Sequence, residues 1–282
     1  MLVSAVTGDV GAGKSTLTAC WRRAGASVID ADAIVREAWR RPEIVSGAVS
    51  LWGEGILDER GAVLPGRVAD RAFVDAVEYR RLCDLVHPAV MDEMERMAAA
   101  LDGWVVAEIP LLFEVGVPWW VDATVYVSAP AERRVERNSA RGWTEGEIAR
   151  RESFLLPAEE KRRLATYEVD NGGTVEEMIS RAESLAALFR RASRLVRCAV
   201  AFDGEEGLRR YLDLLEDGRL AARPLVVRGE TACGPLLQLS FFTLESLFPM
   251  LAAGVAARGP CIERVRRLRW EERLEMLGEL RT

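Results

Sequence analysis

The sequence predicts an α/β protein, a doubly wound parallel sheet with flanking helices, followed by a smaller α+β unit. Short, wholly apolar runs alternate with longer helical patterns through the first two thirds of the chain. A glycine-rich segment joins the first apolar run to the first helical stretch, and the pattern changes near residue 192. Apolar runs without polar alternation suit the buried strands of a parallel sheet. Strands separated by helical segments indicate βαβ units.

The elements follow in order. LVSAVT (2–7) is β-branched and apolar, and the glycine-rich stretch after it opens a helix through about residue 24. SVID (27–30) is a second strand, followed by helical patterns over 32–40, 42–52 and 67–101, broken by GEG and LDERG turns. WVVAEIP (104–110) and ATVYVS (123–128) have strand length and no polar alternation. Residues 130–165 are helical and Arg-rich, YEVDN (167–171) is a short strand, and 174–191 is a helix. Beyond 192, LVRCAVAF (195–202), PLVVRGE (224–230), LLQLSFF (236–242) and CIERVRRLRW (261–270) read as strands. EEGLRRYLDLLEDG (205–218) and SLFPMLAAGVAA (246–257) read as helices. That β-α-β-β-α-β order is the ferredoxin-like split motif. The expected domains are 1–191 and 192–282.

Composition narrows the function classes. The length of 282 residues points to two domains at roughly 150 residues each, or to one large one. Half the residues are apolar and 29% are charged, as in an ordinary globular protein. No apolar run approaches the roughly 20 residues that cross a bilayer, and no basic segment precedes the first apolar one, so the reading is soluble and cytoplasmic. Cys20, Cys83, Cys198, Cys233 and Cys261 are far apart and form no C-x-x-C pair, which suits a reducing compartment and no zinc framework. His87 is the one histidine, so a Ser-His-Asp triad would rest on it alone. A net charge of −6 argues against broad nucleic-acid binding. Residues 1–191 hold 24 Lys+Arg against 31 Asp+Glu, or −7, and residues 192–282 hold 14 against 13, or +1. Only Lys14 and Lys161 are lysines among the 38 cations.

Gly8-Asp9-Val10-Gly11-Ala12-Gly13-Lys14-Ser15, followed by Thr16, fits G-x-x-x-x-G-K-[ST] between a strand and a helix. Glycines let backbone N–H groups turn inward around a polyphosphate, at a helix N-terminus whose dipole favours anions. Lys14 would reach the β- and γ-phosphates of a bound nucleotide, and the Ser15 hydroxyl would sit on Mg²⁺. This is the phosphate loop of a P-loop fold. Asp30-Ala31-Asp32 ends the second strand, and ligands of open α/β sheets bind outside the carboxyl ends of strands. Asp32 then has two readings: a proton acceptor or magnesium partner near the phosphates, or an N-cap for the next helix.

TGDVGAGKST, VIDADAIVRE, LVHPAV, IPLLFE, the spaced Arg137 and Arg141, and VDNGG occur in the order seen in dephospho-coenzyme A kinases. Over residues 1 to about 190 the chain resembles that family. The resemblance implies an adenylate-kinase-like core with a helical substrate region and a lid. It implies transfer of phosphate from ATP, with Mg²⁺, to the ribose 3′-hydroxyl of dephospho-CoA, the last step of coenzyme A synthesis. It makes Asp32 the base toward that hydroxyl and Arg137 and Arg141 lid arginines on the transferring phosphate. At i and i+4 those arginines share one helix face, which a solvated charged helix would produce as well. The resemblance places His87, Pro110, Leu111, Leu112, Phe113 and Glu114 along the acceptor site, and Asn171 in a turn near the adenine. His87 and Phe113 also read as ordinary core residues. Three positions depart from the family pattern: Asp9 replaces a usual glycine, and Leu155 and Arg134 stand where the family commonly has Gln. Lys161 reads as a surface residue of the lid region. The Arg-rich stretch with Arg133 and Arg150 carries interleaved Glu132, Glu136, Glu145 and Glu147, so it reads as a mixed helical surface, with no nucleic-acid partner.

The strand order beyond 192 and the phrase LLEDGRLAARPLVV are similar to the divalent-cation tolerance proteins, trimeric ferredoxin-like units. Arg223 stands where that family has Cys, and the segment has no His, so a structural or homo-oligomerising appendage is expected. The alternatives to the kinase reading are another P-loop small-molecule or nucleotide kinase, and a catalytically weakened nucleotide-binding regulator acting through residues 192–282.

Overall fold

The computed structural model describes residues 1–139, 142–201, 225–231, 234–241, 261–264 and 268–279, with the single positions 206, 209 and 213. Contacts divide the chain into two units, Met1–Ala186 and Ala187–Thr282.

The first unit is built on β1 (Leu2–Gly8), β2 (Ser27–Asp30), β3 (Trp104–Glu108), β4 (Ala123–Ser128) and β5 (Tyr167–Asp170). They form one parallel sheet in the order β2-β3-β1-β4-β5. β1, β3 and β4 are buried along their whole length, which explains why their sequences lack polar alternation. The chain leaves β1 toward β2 on one side, and later crosses from β3 past β1 to β4. The strand order therefore reverses at β1, and an open α/β sheet binds ligands outside the carboxyl ends at such a point. Register brings those ends level: Glu108 pairs with Val6 on one side and Asp30 on the other, and Gly8 pairs with Val127.

Among the described residues nine α-helices surround or extend the sheet: α1 (Lys14–Arg23), α2 (Ala31–Ala38), α3 (Pro42–Trp52), α4 (Pro65–Ala72), α5 (Ala76–Ala99), α6 (Ala131–Asn138), α7 (Glu145–Glu152), α8 (Ala158–Leu164) and α9 (Val175–Ser193). Helix α5 buries Val86, Val90, Met94 and Ala98, an i,i+4 stripe, against Ile34 and Ala38 of α2 and against Val3, Ile29 and Val105 of the sheet. Its N-cap Asp75 accepts from the amides of Val77 and Glu78. Leu17 and Trp21 are the buried face of α1. The Trp21 indole donates to the Ala182 carbonyl of α9 at 2.8 Å and packs 5.4 Å from the Trp104 ring. The helix that opens at the phosphate loop is thus fixed on both its neighbours.

In the second unit β6 (Val196–Ala201), β7 (Leu225–Thr231), β8 (Gly234–Phe241) and β9 (Cys261–Arg264) form an antiparallel sheet in the order β7-β8-β6-β9. The helical readings over 205–218 and 246–257 lie outside the described residues, apart from the single positions noted above. One reading is corrected: the strand expected over 261–270 ends at Arg264, and α10 (Trp270–Glu279) begins where that strand was to finish. Trp270, Arg273, Met276 and Leu277 are the buried positions, a helical period that only becomes visible past residue 270. Within this unit the Arg273 guanidinium donates to the Ala192 carbonyl at 2.6 Å, and Trp270 packs 5.5 Å from Phe189. No helix among the described residues is long and apolar enough to cross a membrane.

Candidate active site

The loop between β1 and α1 turns on glycines. Gly13 sits at φ 101°, in the left-handed region, and a Cβ there would lie 2.3 Å from Asn171 Nδ2. Only glycine meets both conditions. Helix α1 carries no acid in its first turn and ends in Arg22 and Arg23, so its N-terminus is left free to favour an anion.

The loop is braced from outside. The Ala12 carbonyl accepts from Asn171 Nδ2 at 2.7 Å and from Arg137 Nη1 at 3.2 Å, while Arg137 Nη2 donates to the Asn171 carbonyl at 3.0 Å. With that carbonyl drawn outward, the neighbouring amides are held for an incoming anion. Asp9 is tied down by the Tyr126 hydroxyl, which donates to Oδ1 at 2.6 Å; burial and this carboxylate hold the phenol well above its usual range. Asp9, where a glycine is usual in the resembling family, thus anchors the loop to β4. The Val10 amide donates to Glu152 Oε1 at 3.2 Å, and the same oxygen pairs with the Arg134 guanidinium. So Arg134, the second departure, links the α6–α7 region to the loop through Glu152. Leu155, the third, lines a small cavity of about 100 Å³ together with Asp9, Arg134 and Lys161.

Lys14 curls back so that its ammonium donates to the carbonyls of Gly8 (3.1 Å) and Asp9 (3.0 Å). Burial pushes this lysine below its usual range, while Glu108, Asp32 and Asp9 act in the opposite direction. The alternative reading of Asp32 as a cap is corrected: Asp30 is the N-cap of α2 and accepts from the Ala33 amide at 3.1 Å. Asp32 occupies the first turn inside the helix, with the capping already done by its neighbour.

Glu108, which the sequence reading passed over as part of an apolar strand, ends β3 at 7% exposure. Its carboxylate accepts from Ser15 Oγ at 2.9 Å and Thr18 Oγ1 at 2.8 Å. The signal was present as a single acid at the carboxyl end of an otherwise apolar run. Ser15 and Glu108 supply hard oxygen donors of the type that suits Mg²⁺, which binds through one or two protein oxygens and otherwise keeps water and phosphate. Among the described residues no group of three His, Cys, Asp or Glu side chains forms a metal cluster.

A cavity of about 590 Å³ is lined by Tyr79, Cys83, Asp84 and His87 of α5, Leu111 and Glu114 of the loop after β3, and Phe154 after α7. Burial pushes the His87 imidazole below its usual value against the opposing charge of Asp84, and it pushes the Tyr79 phenol and Cys83 thiol up. Of the other acceptor-site expectations, Leu112 is fully buried, and Phe113 packs against the same core. The Pro110 carbonyl accepts from Thr7 Oγ1 at 3.0 Å. These three hold the loop, while Leu111 and Glu114 face the cavity. Gly11 lies in the loop between β1 and α1, Thr16 in the first turn of α1, and Arg141 lies outside the described residues. Lys161 is a further correction: it is 2% exposed, and its ammonium pairs with Glu114 Oε1 at 3.0 Å.

The family model for dephospho-CoA kinase matches residues 2–177. The dephospho-CoA kinase of Deinococcus radiodurans is 40% identical over 183 residues, covering 61% of this chain and 84% of that protein. That of Aquifex aeolicus is 36% identical over 175 residues, covering 61% and 89%. The crystal structure of TT1252 from Thermus thermophilus superposes with a TM-score of 0.57 at 33% identity, over 66% of this chain and 96% of that one. With a phosphate loop braced at the switch point of its sheet and a matching family model over most of its first unit, this chain belongs to the dephospho-CoA kinase family.

Proposed function

We propose that the chain transfers the γ-phosphoryl group of ATP to the ribose 3′-hydroxyl of dephospho-CoA, giving coenzyme A and ADP. One observation supports this above the rest. Glu108 ends β3 against Ser15 and Thr18 of α1, Asp32 stands in the first turn of the helix that follows the adjacent strand β2, and the loop after β3 leads from there to the cavity lined by His87 and Glu114.

Gly8, Gly11, Gly13 and the amides through Thr16 cradle the β- and γ-phosphates, and Lys14 exchanges its carbonyl partners for phosphate oxygens. Asn171 and Arg137 keep the Ala12 carbonyl out of the phosphate path. Asp32 accepts the proton of the attacking 3′-hydroxyl while the bond from phosphorus to the ADP oxygen breaks. Transfer of this kind rests on alignment and charge neutralisation. Ser15 and Glu108 would hold Mg²⁺, which when bound neutralises charge on the phosphates. Residues 1–191 form the kinase module in this reading. Residues 192–282, whose strand order and antiparallel pairing fit the ferredoxin-like split motif, form an accessory module that joins copies of the chain.

An acceptor panel tests the reading. ADP release with Mg²⁺ and ATP should depend on dephospho-CoA and should not be matched by nucleoside monophosphates. Preference for a nucleoside monophosphate would assign the site to a different small-molecule kinase.

A further inference from the structure

The segment from Glu152 to Leu156 touches both the phosphate loop and the larger cavity. At its first residue, Glu152 Oε1 accepts from the Val10 amide of the loop at 3.2 Å and pairs with the Arg134 guanidinium. At its last, the Leu156 amide donates at 3.1 Å to Glu114 Oε1 in the loop after β3. Ser153 and Phe154 between them line the cavity, and the Phe154 ring packs 5.3 Å from Tyr79 and 5.6 Å from Phe73. The Leu155 amide donates to the Glu152 carbonyl at 3.0 Å, which closes the segment into a turn. Helix α6 grips the phosphate loop at two points: Arg137 holds the Ala12 carbonyl, and Arg134, through Glu152, holds the Val10 amide. A carboxylate beside a loop that takes polyphosphate is unfavourable unless neutralised, and Arg134 neutralises this one. Stability gives little reason for the arrangement, because partly exposed ion pairs contribute little to it.

We propose that Glu152 is a positioning residue that couples the two sites, so that a filled acceptor cavity sets the phosphate loop for nucleotide. The inference rests on the reading of the larger cavity as the acceptor site. An acceptor packed against Ser153 and Phe154 fixes the segment, and with it the carboxylate that holds the Val10 amide. The nucleotide then meets a loop that is already ordered, so each ligand tightens the other. Arg134 makes a carboxylate tolerable at this place, which gives a physical purpose to its departure from the Gln usual in the family.

Calorimetric titration tests this with the β,γ-imido analogue of ATP, which cannot transfer its phosphoryl group, with and without saturating dephospho-CoA. In the wild type dephospho-CoA should tighten the analogue by about fivefold or more, and the reverse titration should give the same factor. Glu152→Ala should bring the factor to within about twofold of none, and Glu152→Gln, which keeps an oxygen for the Val10 amide, should recover most of it. A merely structural role would weaken each ligand alone and leave the factor unchanged. A wild-type factor below about twofold, or one that Glu152→Ala lowers by less than about twofold, overturns the proposal. Hydrogen exchange with the analogue alone separates this failure from that of the functional reading. The amides of residues 153–156 should gain protection in the wild type and none in Glu152→Ala. If dephospho-CoA does not bind while that response is present, the functional reading falls and the coupling stands; absence of the response overturns the coupling whatever the acceptor is.

Discussion

Asp32 carries the sharpest residue-scale consequence. Asp30 caps α2 and Asp32 does not, so replacing Asp32 leaves the helix start intact. Asp32→Asn should bind ATP as the wild type does while kcat falls by about 10²–10⁴-fold, the usual worth of a positioned general base; equilibrium nucleotide binding and initial rates check both halves. His87 supplies a pH prediction. Its native imidazole binds a proton more weakly than the unfolded one because burial outweighs Asp84. Its contribution to stability is therefore complete above the unfolded pKa of about 6.5 and declines as pH falls below it. His87→Gln should flatten the fall of Tm between about pH 6.5 and 5 relative to wild type, measured by parallel thermal melts. At this scale the glycine-rich turn between β1 and α1 was legible in the sequence, because Gly13 answers a local geometric demand. Glu108 and Lys161 were not. Their roles depend on partners 93 and 47 positions away, Ser15 and Glu114, and no local pattern encodes such a pairing.

At the scale of elements, α1 and its loop act as one braced piece. Gly13→Ala would place a methyl group 2.3 Å from Asn171 Nδ2 at a left-handed backbone position, costing about 1–2 kcal/mol from the backbone alone. The Asn171–Ala12–Arg137 brace should open, and ATP affinity should fall by about tenfold or more, read by calorimetric titration. Truncating Trp21 attacks the same piece from below. Trp21→Ala removes a fully buried ring and its bond to Ala182, and should cost about 3–5 kcal/mol of stability by denaturant melt. The central strands β1, β3 and β4 could be read from sequence because both their faces are buried, which leaves continuous apolar runs; the edge strands β2 and β5 are short and only partly buried. The span 261–270 misled because its apolar spacing is compatible with either period until Arg273 and Met276 settle it as the start of α10.

For the whole molecule, the division between units falls at Ala186 and Ala187, inside α9, a few residues before the expected boundary of 191. A helix that runs through the boundary leaves no composition shift to mark it. If residues 1–191 are the kinase module, a chain ending after Ser193, where α9 stops, should keep kcat/KM within about threefold of the full chain, as a domain with its own core does; sedimentation of both chains would show whether residues beyond it join copies. The central claim is the reaction itself. The purified 282-residue chain with ATP, Mg²⁺ and dephospho-CoA should yield one new 3′-phosphomonoester by phosphorus NMR, in step with ADP. Absence of that resonance while ATP is bound, or its appearance at another hydroxyl, would contradict the account.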